Sequence, residues 1–371
     1  MRVDATAFVR SNISGLERYS FELIRAACRL QPQLEAGLTF VGFRGDNFVL
    51  VETEFPAAKI QRLPLPRKLY TQFYKYLWPL HWWYKTTELM LYTNFVQFPF
   101  RSRRALVVVH DLAYLDIPDV VQPRNRWFLK RFVPRSLTTS GVQPLAVSEF
   151  TKRRLLEEYR LPTEPVIVAN GIDYQRFATP SQIDVRRHYG LPQHYILFLG
   201  TLEPRKNLLQ LLAAYEQLDE HLSERYGLVL AGGGGWQNET FEQRLAELEA
   251  KGQRIIRTGF VADEDLPALY QQASLFTFLS DYEGTGLPLL EAMAAGTPVL
   301  GSDIPPHRDV SEGTVRLVDQ TDSRQIAMAM TDLLQTPPQP KQLRDARAQA
   351  ARQSWDVSAE QLFKLIDKLE P

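Results

Sequence analysis

A single cysteine, Cys28, stands in 371 residues, so no internal disulfide can form, and this usage fits a reducing compartment. Long apolar runs are absent too. No stretch approaches the roughly 18 uninterrupted apolar residues of a membrane-crossing helix. The opening segment, Met1 to Phe8, lacks the apolar core of a secretory leader, which predicts a cytoplasmic protein. Neither sign of charge is in excess: 43 Lys and Arg balance 43 Asp and Glu. No global field draws such a chain to polyanions, and no nucleic-acid partner is expected. There is no Asp-x-Asp pair after a strand and no His/Cys cluster with metal-ligand spacing, so no catalytic metal is expected. A Gly-x-Ser-x-Gly elbow, internal repeats and low-complexity tracts are missing as well.

What is present is a chain too long for one ordinary core, which suits two domains. Its 44% apolar and 23% charged residues are those of a folded globular protein. Short apolar runs alternate with amphipathic stretches from end to end, which predicts an α/β fold with parallel sheets. Val3 to Val9, Phe40 to Phe43, Leu89 to Tyr92, Ala105 to Val109 and Pro144 to Val147 read as strands of the first half. Val166 to Ala169, Tyr195 to Leu199, Leu228 to Ala231, Ile255 to Thr258, Leu275 to Phe278 and Pro298 to Gly301 read as strands of the second. An amphipathic helix is expected from Leu16 to Leu30. The segment Leu161 to Pro165 marks a boundary, giving domains over residues 1–165 and 166–345 and a terminal helical region over 346–371.

Residues 68–100 interleave Tyr70, Phe73, Tyr74, Tyr76, Trp78, Trp82, Trp83 and Tyr84 with Lys68, Lys75 and Lys85. Such a segment suits either a packed helix with solvated cations or a peripheral contact with a membrane interface, and spacing does not separate the two.

The densest chemical signal lies between Ser280 and Leu300. Glu283 and Glu291 stand on either side of Gly284, Thr285, Gly286 and Leu287. Pro288 suits a first helical position and Gly296 the position past the last turn, which predicts a helix from about Pro288 to Ala295 with Glu291 in its first turn. The entry to such a helix offers free N–H groups and a positive dipole end to an anion. Carboxylates are poor phosphate ligands but good acceptors for vicinal hydroxyls. A diphosphate with a diol at each end is a nucleotide sugar. Arg205 and Lys206 follow the strand Tyr195 to Leu199, on the side where open α/β sheets bind ligands. Two fixed cations there can stabilise the charge that grows on a leaving phosphate. The blander readings are a surface Arg-Lys pair and a carboxylate complementing a helix dipole, and the second accounts for Glu291 better than for Glu283. Gly232 to Gly235 imitates a dinucleotide fingerprint, but Gln237 stands where a third glycine is required.

The segment from Glu283 to Glu291 resembles the Glu-x7-Glu signature of retaining glycosyltransferases with the GT-B fold, in the family called group 1 or family 4. Gly200 to Asn207, Val147 to Lys152, Asn170 to Asp173, Val108 to Leu112 and Gly15 to Tyr19 resemble further segments of that family, so the likeness runs over nearly the whole chain. It implies two Rossmann-like domains with parallel sheets facing a cleft, and a last helix returning to the N-terminal domain. It also implies that Arg205 and Lys206 hold the donor pyrophosphate, Glu291 the ribose, and Glu283 the donor sugar. His110 would lie near the transferred sugar, and Gly15 would let the backbone approach the phosphate. Gly259, Phe260 and Val261 would lie near the base, with Gly284, Thr285, Gly286 and Leu287 forming the donor loop. Thr285 replaces a large apolar residue usual in the family, which leaves the donor sugar open. No cofactor is expected beyond a nucleotide-diphosphate sugar as co-substrate, GDP-mannose by family-level expectation. The acceptor would be a saccharide or lipid-linked saccharide. The implied activity is retaining, metal-independent hexosyl transfer in polysaccharide or glycoconjugate assembly, in the cytoplasm or peripherally on the inner membrane face. Two rivals stay open: a phosphorylase or sugar-phosphate synthase of the same fold, and a catalytically silent binding subunit.

Overall fold

The computed structural model describes residues 1–9, 15–69, 88–98, 102, 104–235 and 239–369. The aromatic residues expected to matter between Tyr70 and Tyr84 lie outside the described residues. The chain forms two compact units, one of Met1–Gly171 with Trp355–Pro371 and one of Ile172–Ser354.

In the first unit seven parallel strands take the order β3-β2-β1-β4-β5-β6-β7. They are β1 (Arg2–Asp4), β2 (Thr39–Arg44), β3 (Lys59–Pro66), β4 (Met90–Tyr92), β5 (Ala105–Val109), β6 (Val142–Ala146) and β7 (Val166–Ile167). The expected first strand is cut short: Ala5–Phe8 coils into a 3-10 turn. Phe8 leaves the strand to pack edge-on to Phe40 and Phe55, with ring centroids 5.1 and 6.5 Å away. β3, which carries Pro64 and Pro66, was not among the expected strands. It lies at the sheet edge, where missing N–H groups are tolerated.

Val166 was expected to open the second domain, but β7 pairs with β6 (Leu145 beside Val166, Ala146 beside Ile167), so it belongs to the first sheet. The terminal region expected from residue 346 also begins later. The helix Pro340–Ala351 belongs to the second unit, where it packs against the helix Leu287–Ala295. The returning helix is Trp355–Leu369, which lies against the helix Gly15–Leu30. Tyr19 anchors it: the ring meets Trp355 at 5.8 Å, and the hydroxyl donates to the Val168 carbonyl at 2.9 Å.

The second unit holds six parallel strands in the order β10-β9-β8-β11-β12-β13. These are β8 (Tyr195–Leu199), β9 (Gly227–Ala231), β10 (Ile255–Gly259), β11 (Leu275–Phe278), β12 (Val299–Ser302) and β13 (Arg316–Val318). Successive side chains of a strand point to opposite faces. Tyr195 and Leu197 accordingly enter one apolar cluster with Val229 and Phe276, while Ile196 and Phe198 enter another with Leu228 and Leu230. Both faces are covered, which is why these strands read as unbroken apolar runs. Sequence order reverses between β8 and β11, which pair directly (Leu275 beside Ile196, Phe276 beside Leu197). Chains leaving the ends of these two strands diverge to opposite sides of the sheet and open a crevice between them.

Candidate active site

That crevice is where the predicted charges meet. β8 runs out through Gly200 into a 3-10 turn, Pro204–Lys206, and Asn207, in the left-handed conformation, ends it. β11 runs out into Ser280–Gly286 and then the helix Leu287–Ala295. The two exits are tied together by the Asp281 N–H, which donates to the Arg205 carbonyl at 2.9 Å. Lys206 Nζ then lies 2.6 Å from Glu283 Oε1, and Arg205 Nη1 lies 2.8 Å from Glu283 Oε2. Glu283 and Lys206 are each 8% exposed. Burial alone would raise the Glu283 carboxyl, but Arg205 and Lys206 outweigh it and hold the group far below the usual carboxylate range. Lys206 is pushed down by burial and by Arg205, against the pull of Glu283.

Two further groups complete this cluster, and the sequence reading missed both. Glu203 accepts from Arg205 Nε at 3.0 Å and Nη2 at 2.7 Å, while Nη1 also donates to the Tyr282 carbonyl at 2.7 Å. The guanidinium is thus fixed on three sides. Phe278, the last residue of β11, lies under Lys206 Nζ, 4.6 Å from the ring centroid, a cation–π contact that helps keep a buried ammonium charged.

The helix Leu287–Ala295 starts one residue before the expected Pro288, and Gly296 closes it in the left-handed conformation. Glu291 is consequently not in the first turn, and dipole complementation falls off beyond that turn. Its carboxylate is 5% exposed and accepts from the Tyr270 hydroxyl at 2.9 Å. A buried carboxylate held by a tyrosine is a positioned acceptor. Tyr270 was not foreseen, since a tyrosine inside a short helix carries no sequence signal.

His307 is the fourth residue missed. It is fully buried, and a Cβ on Gly286 would sit 3.1 Å from its Nε2. Gly286 has φ +102°, so glycine serves there both for the turn and for the room. The His307 tautomer follows from its partners. Nδ1 lies 3.0 Å from the Ser302 carbonyl, which can only accept, so Nδ1 carries the proton. Nε2 is then a bare acceptor, and it has no hydrogen-bond partner among the described residues. Burial lowers the imidazole to about 4, keeping it neutral beside the Glu283–Lys206 pair. Its one sequence signal is its place just after a strand, behind Pro305-Pro306.

The other predicted residues are placed as follows. Thr285 is buried in the loop that follows β11, and Leu287 packs partly against the core. Gly259 ends β10 with φ +68°, and its carbonyl accepts from the Gly232 N–H at 2.8 Å. Phe260 is 63% exposed, while Val261 is 5% exposed and committed to the core. Gly15 is the first residue of its helix, not part of a turn before it. His110 belongs to the first unit, just beyond β5. Its Nε2 donates to the Thr93 carbonyl at 2.8 Å, and Tyr19 and Phe95 meet the ring edge-on. Burial lowers it to about 4 as well, which leaves Nδ1 as an unprotonated acceptor. Among the described residues no group of three or more His, Cys, Asp or Glu is arranged to hold a metal ion. No helix among them is long and apolar enough to cross a membrane.

Comparison with known proteins points the same way as this geometry. The profile of the family "Glycosyl transferases group 1" matches residues 184–353. The O-antigen chain mannosyltransferase B of Escherichia coli is 30% identical over 376 aligned positions, covering 95% of each chain. Among solved structures, sucrose-phosphate synthase from Thermosynechococcus elongatus superposes with a TM-score of 0.75 at 21% identity, covering 99% of this chain and 98% of that one. HepE of Anabaena, solved in complex with UDP, gives 0.72 at 16% identity and 99% coverage of both. At such identities the structural likeness speaks for the fold, which is the two-domain GT-B fold.

Proposed function

From the premise that the chain belongs to the group 1 glycosyl transferases, we propose that it moves a mannosyl group from GDP-mannose to a saccharide or lipid-linked saccharide acceptor during surface-polysaccharide assembly. The relative named as an O-antigen chain mannosyltransferase supports mannose as the sugar. The observation that carries the site is the convergence of Arg205, Lys206 and Glu283 at the β8/β11 crevice. In this reading Arg205 and Lys206 transfer their hydrogen bonds from Glu283 to the donor pyrophosphate. Glu283, released, accepts from the sugar hydroxyls, and Glu291 accepts from the ribose. When the glycosidic C–O bond breaks, the electron pair goes to the phosphate oxygen, and the two cations stabilise it there without a metal. Retention follows if the acceptor hydroxyl attacks from the face the phosphate leaves, giving its proton to that phosphate oxygen. His110, neutral, accepts from a hydroxyl of the transferred sugar. Gly15, Gly284, Thr285, Gly286 and Leu287 offer backbone amides to the phosphates, and Gly259, Phe260 and Val261 border the base. The protein works in the cytoplasm, peripherally on the inner membrane face.

A thermal-shift panel of GDP-, UDP-, ADP- and dTDP-sugars tests the donor, because a ligand at 100 times its dissociation constant adds about 2.7 kcal/mol. GDP-mannose should give the largest rise. Charge-assisted hydrogen bonds contribute about 1.5–3 kcal/mol each, so Arg205→Ala or Lys206→Ala should slow turnover by roughly ten- to a hundred-fold or more. Full activity in both variants would overturn the assignment.

A further inference from the structure

The helix Pro123–Leu137 of the first unit carries Arg124, Arg126, Lys130, Arg131 and Arg135 and no acidic residue. No Asp or Glu occurs anywhere between Asp119 and Glu149, although the chain as a whole is neutral. The buried side is set by Phe132, Val133, Ser136 and Leu137. On the other side Trp127 is 45% exposed, an unusual setting for the largest apolar side chain. Residues three and four apart share a helix face. Arg124 precedes Trp127 by three, and Lys130 and Arg131 follow it by three and four, so three exposed cations ring one exposed indole. None of the three has an ion pair among the described residues. Asp119 lies 3.9 Å from Arg126, which sits to one side of this face.

We infer that this face is a docking surface for an anionic lipid bilayer, with Trp127 seated at the headgroup level and Arg124, Lys130 and Arg131 on lipid phosphates. The arrangement favours a bilayer over a polyanion such as nucleic acid. A half-exposed indole, edge-on to buried Phe132 at 6.0 Å, fits the half-apolar interfacial layer, where tryptophan concentrates. A helix lying in the interface with basic residues flanking its apolar contact is the surface-binding pattern. The assignment deepens the peripheral-membrane part of the proposed function. It places the contact on the helix Pro123–Leu137.

The test is co-sedimentation of the full chain with vesicles of phosphatidylcholine containing about one-third phosphatidylglycerol, against pure phosphatidylcholine, at low and high salt. The native protein should pellet with the anionic vesicles only, and high salt should release it. Each basic residue near such a surface contributes about five-fold in partitioning, so Lys130→Glu with Arg131→Glu should weaken binding by at least about thirty-fold. Trp127→Ala should weaken it without changing the salt dependence. Melting temperature and the nucleotide-sugar thermal shift should stay unchanged in these variants, which excludes misfolding. Failure of the native protein to bind anionic vesicles would sink both the surface and the peripheral reading. Undiminished binding by the charge-reversed variant would sink this surface alone. Salt-sensitive binding to single-stranded oligonucleotide in place of vesicles would overturn the lipid assignment in favour of nucleic acid.

Discussion

Replacing Glu283 by Gln should change the second unit in two linked ways. The Glu283 carboxylate neutralises Lys206 at 2.6 Å and shares Arg205 at 2.8 Å. Arg205 keeps Glu203 and the Tyr282 carbonyl after the change, so the loss falls mainly on Lys206, which retains the Phe278 ring and the more distant pull of Glu203. Removing one member of a buried ion pair costs about 3–5 kcal/mol, because the other charge stays buried and unpaired. At about 2–4 °C per kcal/mol for a unit of this size, melting should fall by roughly 10 °C. An anion can repair this defect. Pyrophosphate or a nucleoside diphosphate supplies the missing negative charge, and in the variant it no longer competes with a resident carboxylate. Glu283→Gln should therefore gain more melting temperature from pyrophosphate than the native protein does, while losing transfer activity. Differential scanning fluorimetry over a pyrophosphate titration in chloride buffer measures both effects, with Glu203→Gln as the control that leaves Lys206 paired. A variant that is as stable as the native protein, or that responds no more strongly to pyrophosphate, would refute the view that Glu283 and a diphosphate compete for the same two cations.

Other outcomes follow from the same coordinates. Gly232 has φ +135°, and a Cβ there would stand 2.0 Å from the Gly200 carbonyl oxygen, so Gly232→Ala should destabilise by about 3 kcal/mol or more in denaturant unfolding. Tyr270→Phe removes the hydroxyl that donates to the buried Glu291 carboxylate and should cost about 1.5–3 kcal/mol of stability while raising KM for the donor more than it lowers kcat. The buried histidines make the protein sensitive to acid. His110 and His307 titrate near 4 when folded and near 6.5 when unfolded. Below pH 6.5 the unfolded chain binds protons that the folded chain refuses, so stability is flat above 6.5 and falls as pH drops toward 4. The loss is about 3 kcal/mol per histidine. His307→Gln should make that acid limb shallower in urea titrations at stepped pH, and an unchanged slope would contradict the assigned shift.

Much of this protein was readable before its coordinates. Tyr195 to Leu199 and Leu275 to Phe278 announced themselves as strands because both their faces are buried, which leaves a continuous apolar run. Gly296 ended its helix where expected because few other residues accept that backbone conformation. The reading failed where local pattern and burial part company. Val3 to Val9 looks like one strand, yet Phe8 is worth more in an aromatic cluster than in a ladder. Pro64 and Pro66 hid β3, since prolines are tolerated at an edge and nothing local says which strand is the edge. Val166 looked like the start of a second domain because a proline-rich segment precedes it, whereas its pairing with β6 keeps it in the first.

The site divides in the same manner. Arg205, Lys206 and Glu283 were legible as a converging group because they follow strand ends and because the segments that carry them resemble those of a known family. Glu203, Tyr270, Phe278 and His307 were not, because each matters only through a neighbour distant in the chain. The sequence by itself determined the βα rhythm, the parallel sheets and the charged residues at the strand ends. Only the tertiary structure decided that β8 and β11 lie side by side, and hence that Lys206 and Glu283, 77 residues apart, form one buried pair. Strand order depends on how helices of different lengths cover the two faces of a sheet. That is a property of the whole packed unit, and no local window of residues contains it.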